Sequence, residues 1–252
     1  MLDTILFDMG GTIEDIWFNE ETTLAVADKI IAILAKNGIQ TSYNIEDFME
    51  KLFAGVKRYK AWSQSVMLEK KPEEIWSEYY LYDFQFPKQK IMEISEELAQ
   101  TWEKVYYHRV LRPHVKESLD ALQERGYKLG IISNTISLYS VFNVLEEYEI
   151  REYFQDVTLS SVTGYRKPHT AIFEIALRQN DSKAENCMYV GDTISRDVIG
   201  AKRAKFGKVV QIQSFMTEMS DEKVKDDSIV ADYIISDMEQ IVPYVDKLRA
   251  EK

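Results

Sequence analysis

Four short stretches carry the side chains best suited to chemistry. Asp8 closes the apolar run 4–7 and is followed by Met9-Gly10-Gly11-Thr12. Ser133-Asn134 close a second apolar run, 128–132. Lys167-Pro168 follow Gly164-Tyr165-Arg166 and lead into a helical pattern. Gly191-Asp192-Thr193 close a third run, 188–190, and Asp197 stands five residues after Asp192. An aspartate at a strand end is placed to act as a nucleophile and split a hard displacement into two steps. Three carboxylates brought together repel one another unless a cation sits among them, and an all-oxygen donor set suits Mg²⁺. The Ser133 hydroxyl, main-chain N–H groups and the Lys167 ammonium would hold a phosphoryl group and offset its charge. Gly10 and Gly11 would let the backbone approach that group closely.

These residues can cooperate only if the chain brings the strand ends together. Residues 4–7 read as a buried strand. Residues 20–37 repeat apolar side chains at helical spacing and end before Gly38, a usual C-terminal capping residue. Helical patterns follow at about 46–62, 72–84 and 88–107, and Pro72 with Glu73 and Glu74 suits a helix start. Residues 13–109 therefore read as all helix, with no convincing strand. Beyond them strands and helices alternate: helix 113–125, strand 128–132, a helix and a short strand at 157–159, helix 168–178, strand 188–190, helix 195–205, strand 208–212, and a final strand–helix pair across 233–248. Alternation of this kind predicts an α/β fold whose parallel sheet is covered on both faces. Open sheets of that class place their sites beyond the carboxyl ends of the strands, where all four stretches lie.

Composition narrows the function classes. The chain has 252 residues, 45% of them hydrophobic, enough for one large domain or a core with an insertion. A net charge of −11 argues against nucleic acid and against anionic membrane surfaces as partners. The single cysteine, Cys187, permits no intrachain disulfide and fits a reducing compartment. The first residues lack a basic segment followed by an apolar one, and no apolar run reaches membrane-spanning length, so a cytoplasmic location is expected. The oligomeric state is not legible, and a homodimer stays open.

Taken together, Asp8-x-x-Gly11-Thr12, Ser133-Asn134, Lys167-Pro168 and Gly191-Asp192-(x)₄-Asp197 resemble, in order and separation, the four motifs of the haloacid dehalogenase-like hydrolases. The resemblance implies a Rossmann-like core, residues 1–12 and 110–252, with an α-helical cap, residues 13–109, inserted after the first strand. It implies Mg²⁺-dependent hydrolysis of a small phosphorylated substrate through an aspartyl-phosphate. In that scheme Asp8 is nucleophile and metal ligand, and Lys167 and Ser133 are catalytic. Ser133, Asn134, Lys167, Gly11 and Thr12 bind the phosphoryl group, while the Gly10 carbonyl, Asp192 and Asp197 complete the metal set.

Gly10 departs from the pattern. That superfamily usually carries there an aspartate that protonates the leaving group and later activates water, help worth roughly 10²–10⁴-fold. Glycine keeps only the main-chain carbonyl. Three readings follow: a phosphatase in which another group or water handles protons (Glu14, Asp15, His108 and His114 are the candidate groups), a phosphatase restricted to good leaving groups such as acyl phosphates, or a non-catalytic binder of a phosphorylated ligand or a protein. Branches lacking the second aspartate include phosphonate hydrolases, dehalogenases and ATP-driven pumps. Without membrane segments a pump is excluded, and the Asp192–Asp197 pair argues for a metal over dehalogenation. In the cap, Trp62, Trp76, Tyr79, Tyr80, Phe84 and Trp102 read as core at helical spacing. Lys57-Arg58-Tyr59-Lys60 reads as a solvated face, and Cys187 as a buried small hydrophobe.

Overall fold

A computed structural model describes residues 2–215, 217, 221 and 228–251 of the chain. Its strands are β1 (Thr4–Phe7), β2 (Glu14–Trp17), β3 (His108–Leu111), β4 (Lys128–Ser133), β5 (Asp156–Leu159), β6 (Cys187–Gly191), β7 (Lys208–Ile212) and β8 (Tyr233–Ile235). Six of them form one sheet in the order β5-β4-β1-β6-β7-β8, parallel throughout. β1 is central, which explains why residues 4–7 are all buried. Its side chains alternate between faces. Ile5 and Phe7 join Leu129, Ile131, Met188 and Val190 in one core, whereas Leu6 joins Ile132, Phe173 and Tyr189 in the other. Cys187 lies fully buried in β6, as its reading as a small hydrophobe requires.

Between β2 and β3 the chain is helical, with its longest helices at Glu20–Lys36, Ile45–Val66 and Ser95–Val105. This layer has its own core, in which Trp76, Tyr80, Phe84 and Trp102 are buried and Trp62 and Tyr79 are partly buried. Its aromatic residues thus do structural work, as their spacing predicts. The expected helix over 72–84 breaks into Pro72–Ile75, a wide turn Trp76–Tyr80 and a tight turn Tyr82–Phe84. The reason is tertiary. The main chain at Tyr79 and Tyr80 lies against Gly55, where any side chain would collide with both carbonyls. The pattern over 88–107 also divides, into Lys88–Glu93 and Ser95–Val105, at Ile94.

The reading of 13–109 as wholly helical is corrected at both ends. β2 and β3 pair antiparallel, Glu14 opposite Leu111 and Trp17 opposite His108, and form the double crossing between sheet and helices. Ninety residues separate the partners, so no local pattern announces the pair. The ribbon is fixed by buried charge. Glu14, wholly buried, pairs with Arg109 and accepts a hydrogen bond from Tyr148 Oη at 3.0 Å. Arg109 also binds Glu103 of helix Ser95–Val105, side chain to side chain at 2.7 Å and through the Glu103 carbonyl at 2.9 Å. Burial pushes the Glu14 carboxyl upward against the pull of Arg109. Removing that guanidinium strands two buried carboxylates. Arg109→Met is therefore expected to cost about 3–5 kcal/mol, read as a lowered midpoint in urea unfolding.

Candidate active site

The strand register sets the site. Phe7 lies opposite Ile131 on one side and Val190 on the other, and Asp8 N–H donates to the Val190 carbonyl at 2.8 Å. Asp8, Ser133 and Asp192 consequently leave adjacent strands at the same carboxyl edge, all buried. Ligand oxygens of Asp8, Asp192 and Asp197 lie within 4.8 Å of one another. Two glycines make this crowding feasible. At Gly11, with φ +89°, a side chain would run into the Asp192 carboxylate, and at Gly191 it would meet the Asp197 side chain.

Lys167 Nζ sits between two of the acids, 2.6 Å from Asp8 Oδ1 and 2.7 Å from Asp197 Oδ1. Asp197 also accepts from Tyr189 Oη at 3.0 Å, Thr193 N–H at 3.1 Å and Thr193 Oγ1 at 2.6 Å. Both of its oxygens are thus engaged. Against the upward push of burial, Lys167 and Arg196 hold Asp197 well below the usual carboxylate range. Asp192 is different. Its Oδ2 accepts from Ser214 Oγ at 2.6 Å, but its buried Oδ1 has no hydrogen-bond partner, and the nearest cation, Arg196 Nη2, is 4.0 Å away. Burial, then Asp197 and Asp8, push Asp192 up to about 8. Burial likewise raises Asp8, in spite of Lys167. A buried carboxylate oxygen with no donor, beside two more acids, has the chemistry of a cation ligand. The residues present therefore fit a hard divalent ion.

Each sequence-predicted site residue can now be placed. Asp8, Lys167, Asp192 and Asp197 converge. The Asn134 side-chain carbonyl accepts from Lys167 N–H at 2.9 Å and its amide donates to the Lys167 carbonyl at 3.2 Å, so the side chain clamps Lys167. Ser133 ends β4 at the shared edge, and Thr12 is fully buried with its Oγ1 unpartnered. Gly10 has no acid in its place. A Cβ there would lie 2.9 Å from the Ile16 terminal methyl and 3.8 Å from Glu14 Oε1. Asp15 pairs with Arg112 at 2.7 Å, His108 stacks on Trp17, and His114 binds Asp237 at 2.9 Å.

A family model for haloacid dehalogenase-like hydrolases matches residues 2–205. The chain belongs to the haloacid dehalogenase-like hydrolase family. Among curated relatives, a glyceraldehyde 3-phosphate phosphatase of Methanothermobacter thermautotrophicus is 32% identical over 143 residues, 54% of this chain and 62% of the relative. The match thus spans under two thirds of that relative's length. Among solved structures, a HAD phosphatase from Thermococcus onnurineus has a TM-score of 0.61 at 21% identity, covering 97% of this chain and 98% of its own. A 2-haloacid dehalogenase from Pseudomonas syringae pv. Tomato reaches 0.63 at 17% identity, covering 98% and 100%. Phosphatase and dehalogenase score alike, so the likeness speaks for the haloacid dehalogenase-like fold and leaves the reaction to the site.

Some residues around this haloacid dehalogenase-like site escape motif reading. Ser214 follows β7 and was open to discovery by inspecting every strand end. Arg196, four residues after Asp192 on the same turn, was open to discovery by helical spacing. Tyr189 carries no signal, because inside β6 it reads only as a buried strand residue.

Proposed function

We propose that this chain is a Mg²⁺-dependent phosphatase acting on small phosphorylated metabolites through a phospho-aspartate at Asp8. The observation that carries the reading is the Asp8 carboxylate held by Lys167 next to the unpartnered Asp192 oxygen. The name of the Methanothermobacter thermautotrophicus relative, a glyceraldehyde 3-phosphate phosphatase, supports a small sugar phosphate as substrate. The helices between β2 and β3 act as the cap, with 13–109 as cap and 1–12 plus 110–252 as core. One buried cysteine and an acidic surface suit the cytoplasm, and no helix among the described residues is long and apolar enough to cross a membrane.

In the proposed reaction an Asp8 oxygen attacks phosphorus. The bond from phosphorus to the ester oxygen breaks, and that oxygen leaves with the electron pair and takes up a proton. Water then attacks the phosphoryl group, gives up a proton, and releases inorganic phosphate as Asp8 is restored. Lys167, held by Asp197 and Asn134, offsets charge on the phosphoryl oxygens, and Ser133 donates to one of them. A divalent ion held by Asp8, Asp192 and the Gly10 carbonyl, with Asp197 behind them, would neutralise the paired acids and the phosphate charge. With glycine at position 10, where the family usually carries an acid, proton delivery is weak, and good leaving groups are favoured.

A screen over alkyl phosphates, an aryl phosphate and acetyl phosphate, with and without Mg²⁺, tests this reading. We expect Mg²⁺-dependent turnover, fastest on the acyl and aryl compounds. Retained phosphate binding without turnover of any of them would leave the non-catalytic reading standing. Metal binding has its own readout. Mg²⁺ at 100 times its dissociation constant is expected to stabilise the fold by about 2.7 kcal/mol, and Asp192→Ala to remove most of that thermal shift.

A further inference from the structure

The Lys167 ammonium is held by Asp8, Asp197 and Tyr189 and its main chain by Asn134, and the segment that leads into it is tied to the helical layer. Residues 67–69, which follow helix Ile45–Val66, lie antiparallel to 164–166. Glu69 N–H donates to the Gly164 carbonyl at 2.9 Å, Arg166 N–H donates to the Met67 carbonyl at 3.0 Å, and Leu68 stands opposite Tyr165. This short bridge ends at the residue just before Lys167. Its lock is the Glu69 carboxylate, whose side chain is fully buried. It pairs with Arg166 and accepts from the Tyr59 hydroxyl and from Ser160 Oγ, the last at 2.7 Å. Ser160 Oγ in turn accepts from Thr135 N–H at 2.9 Å, one residue past the Asn134 clamp. A single carboxylate of the helical layer thus ties down both core loops that present Lys167.

We propose that Glu69 is a positioning residue that acts through the 164–166 segment and Ser160 to hold Lys167 at phosphoryl-binding distance from Asp8. Docking of the helical layer and assembly of the phosphoryl clamp are then one event. A charge-assisted, desolvated set of hydrogen bonds is strong enough for this, and its loss leaves the Arg166 charge without this partner and the Ser160 hydroxyl with only the Thr135 carbonyl, at 3.1 Å. The inference rests on the phosphatase reading for its kinetic consequences but not for its structural one.

The test compares the parent chain with Glu69→Ala and Glu69→Gln. Acetyl phosphate and p-nitrophenyl phosphate serve as substrates, inorganic phosphate as competitive inhibitor, and amide hydrogen exchange reads residues 160–168. Lys167 meets the phosphoryl group of every substrate. Glu69→Ala is therefore expected to lower kcat about tenfold or more on both substrates, to weaken inorganic phosphate by a similar factor, and to speed exchange across 164–167. Glu69→Gln, which keeps the shape and the Ser160 acceptor, should recover part of each loss and covers the case in which the alanine variant does not fold. Phe48→Leu, a cavity in the same layer away from the bridge, should lower the melting temperature and leave phosphate inhibition unchanged.

Unchanged phosphate inhibition and unchanged exchange in a folded Glu69 variant would overturn the inference. So would an effect confined to the KM of one substrate, which would make Glu69 a wall of the substrate pocket. If the parent protein shows no Asp8-dependent turnover, the phosphatase reading fails, and the exchange and phosphate-binding measurements still decide the role of Glu69.

Discussion

Asp8→Asn abolishes turnover of every substrate and leaves the fold intact. The expected loss is on the order of 10⁴–10⁶-fold, the scale seen when a covalent nucleophile is removed while the binding groups remain. The carboxamide has the size of the carboxylate, and Lys167 keeps its 2.7 Å contact with Asp197, so little else moves. The metal-free variant should melt at the parent temperature or above it. Asp8 is buried, and its pKa is raised because burial opposes its charge. Taking the charge away relieves a desolvation cost and a repulsion from Asp197. The Mg²⁺-induced thermal shift should shrink at the same time. Single-turnover assays with quantification of protein-bound phosphate check the first part, and thermal melts with and without Mg²⁺ the second. Residual activity above about one per cent of the parent, in a preparation free of contaminating phosphatase, would mean that the attacking group is not Asp8.

Gly10→Asp should be a gain-of-function variant. A placed acid–base group contributes roughly 10²–10⁴-fold, or about 3–5 kcal/mol of barrier, and alkyl phosphates need it most because their leaving oxygens are the most basic. The backbone allows the change, since Gly10, unlike Gly11, does not have a positive φ. The obstacle is one methyl group, the Ile16 Cδ1 that would lie 2.9 Å from the new Cβ. It is the far end of a flexible side chain, and Ile16→Val in the same protein removes it. The expected result is a rise in kcat on alkyl phosphates of at least tenfold, with a much smaller change on acetyl phosphate. The rise should be larger in the Ile16→Val background. Equal changes on good and poor leaving groups would show that proton delivery does not limit this enzyme. Glu14, whose Oε1 would lie 3.8 Å from the new Cβ, would then be the first group to examine as the carrier already in place.

Much of the site is legible in the sequence. Asp8, Ser133, Lys167, Asp192 and Asp197 stand where strands or helix entries end, and the order of those elements forces their convergence once the sheet is parallel. That information is local in sequence, because an apolar run, the polar residue that ends it and the glycine that turns it are neighbours. The departure at Gly10 was legible for the same reason. The aromatic core of the helical layer followed from helical spacing alone.

What the sequence alone determined, then, is the class of sheet, the edge at which the chemistry sits and the identity of the acids and lysine gathered there. Tertiary structure decided how they are used. Asn134 turned out to clamp the main chain of Lys167, the space beside Gly10 is filled by Ile16 rather than by an acid, and one oxygen of Asp192 is left free while both oxygens of Asp197 are engaged. The β2–β3 ribbon, the Glu14–Arg109–Glu103 chain and the bridge of Glu69 to Arg166 join residues up to ninety-seven positions apart. Such pairings have no local periodicity. They exist because burying a charge is tolerable only when an opposite charge or a donor is folded against it. Which residue provides that partner is fixed by where the chain returns in space.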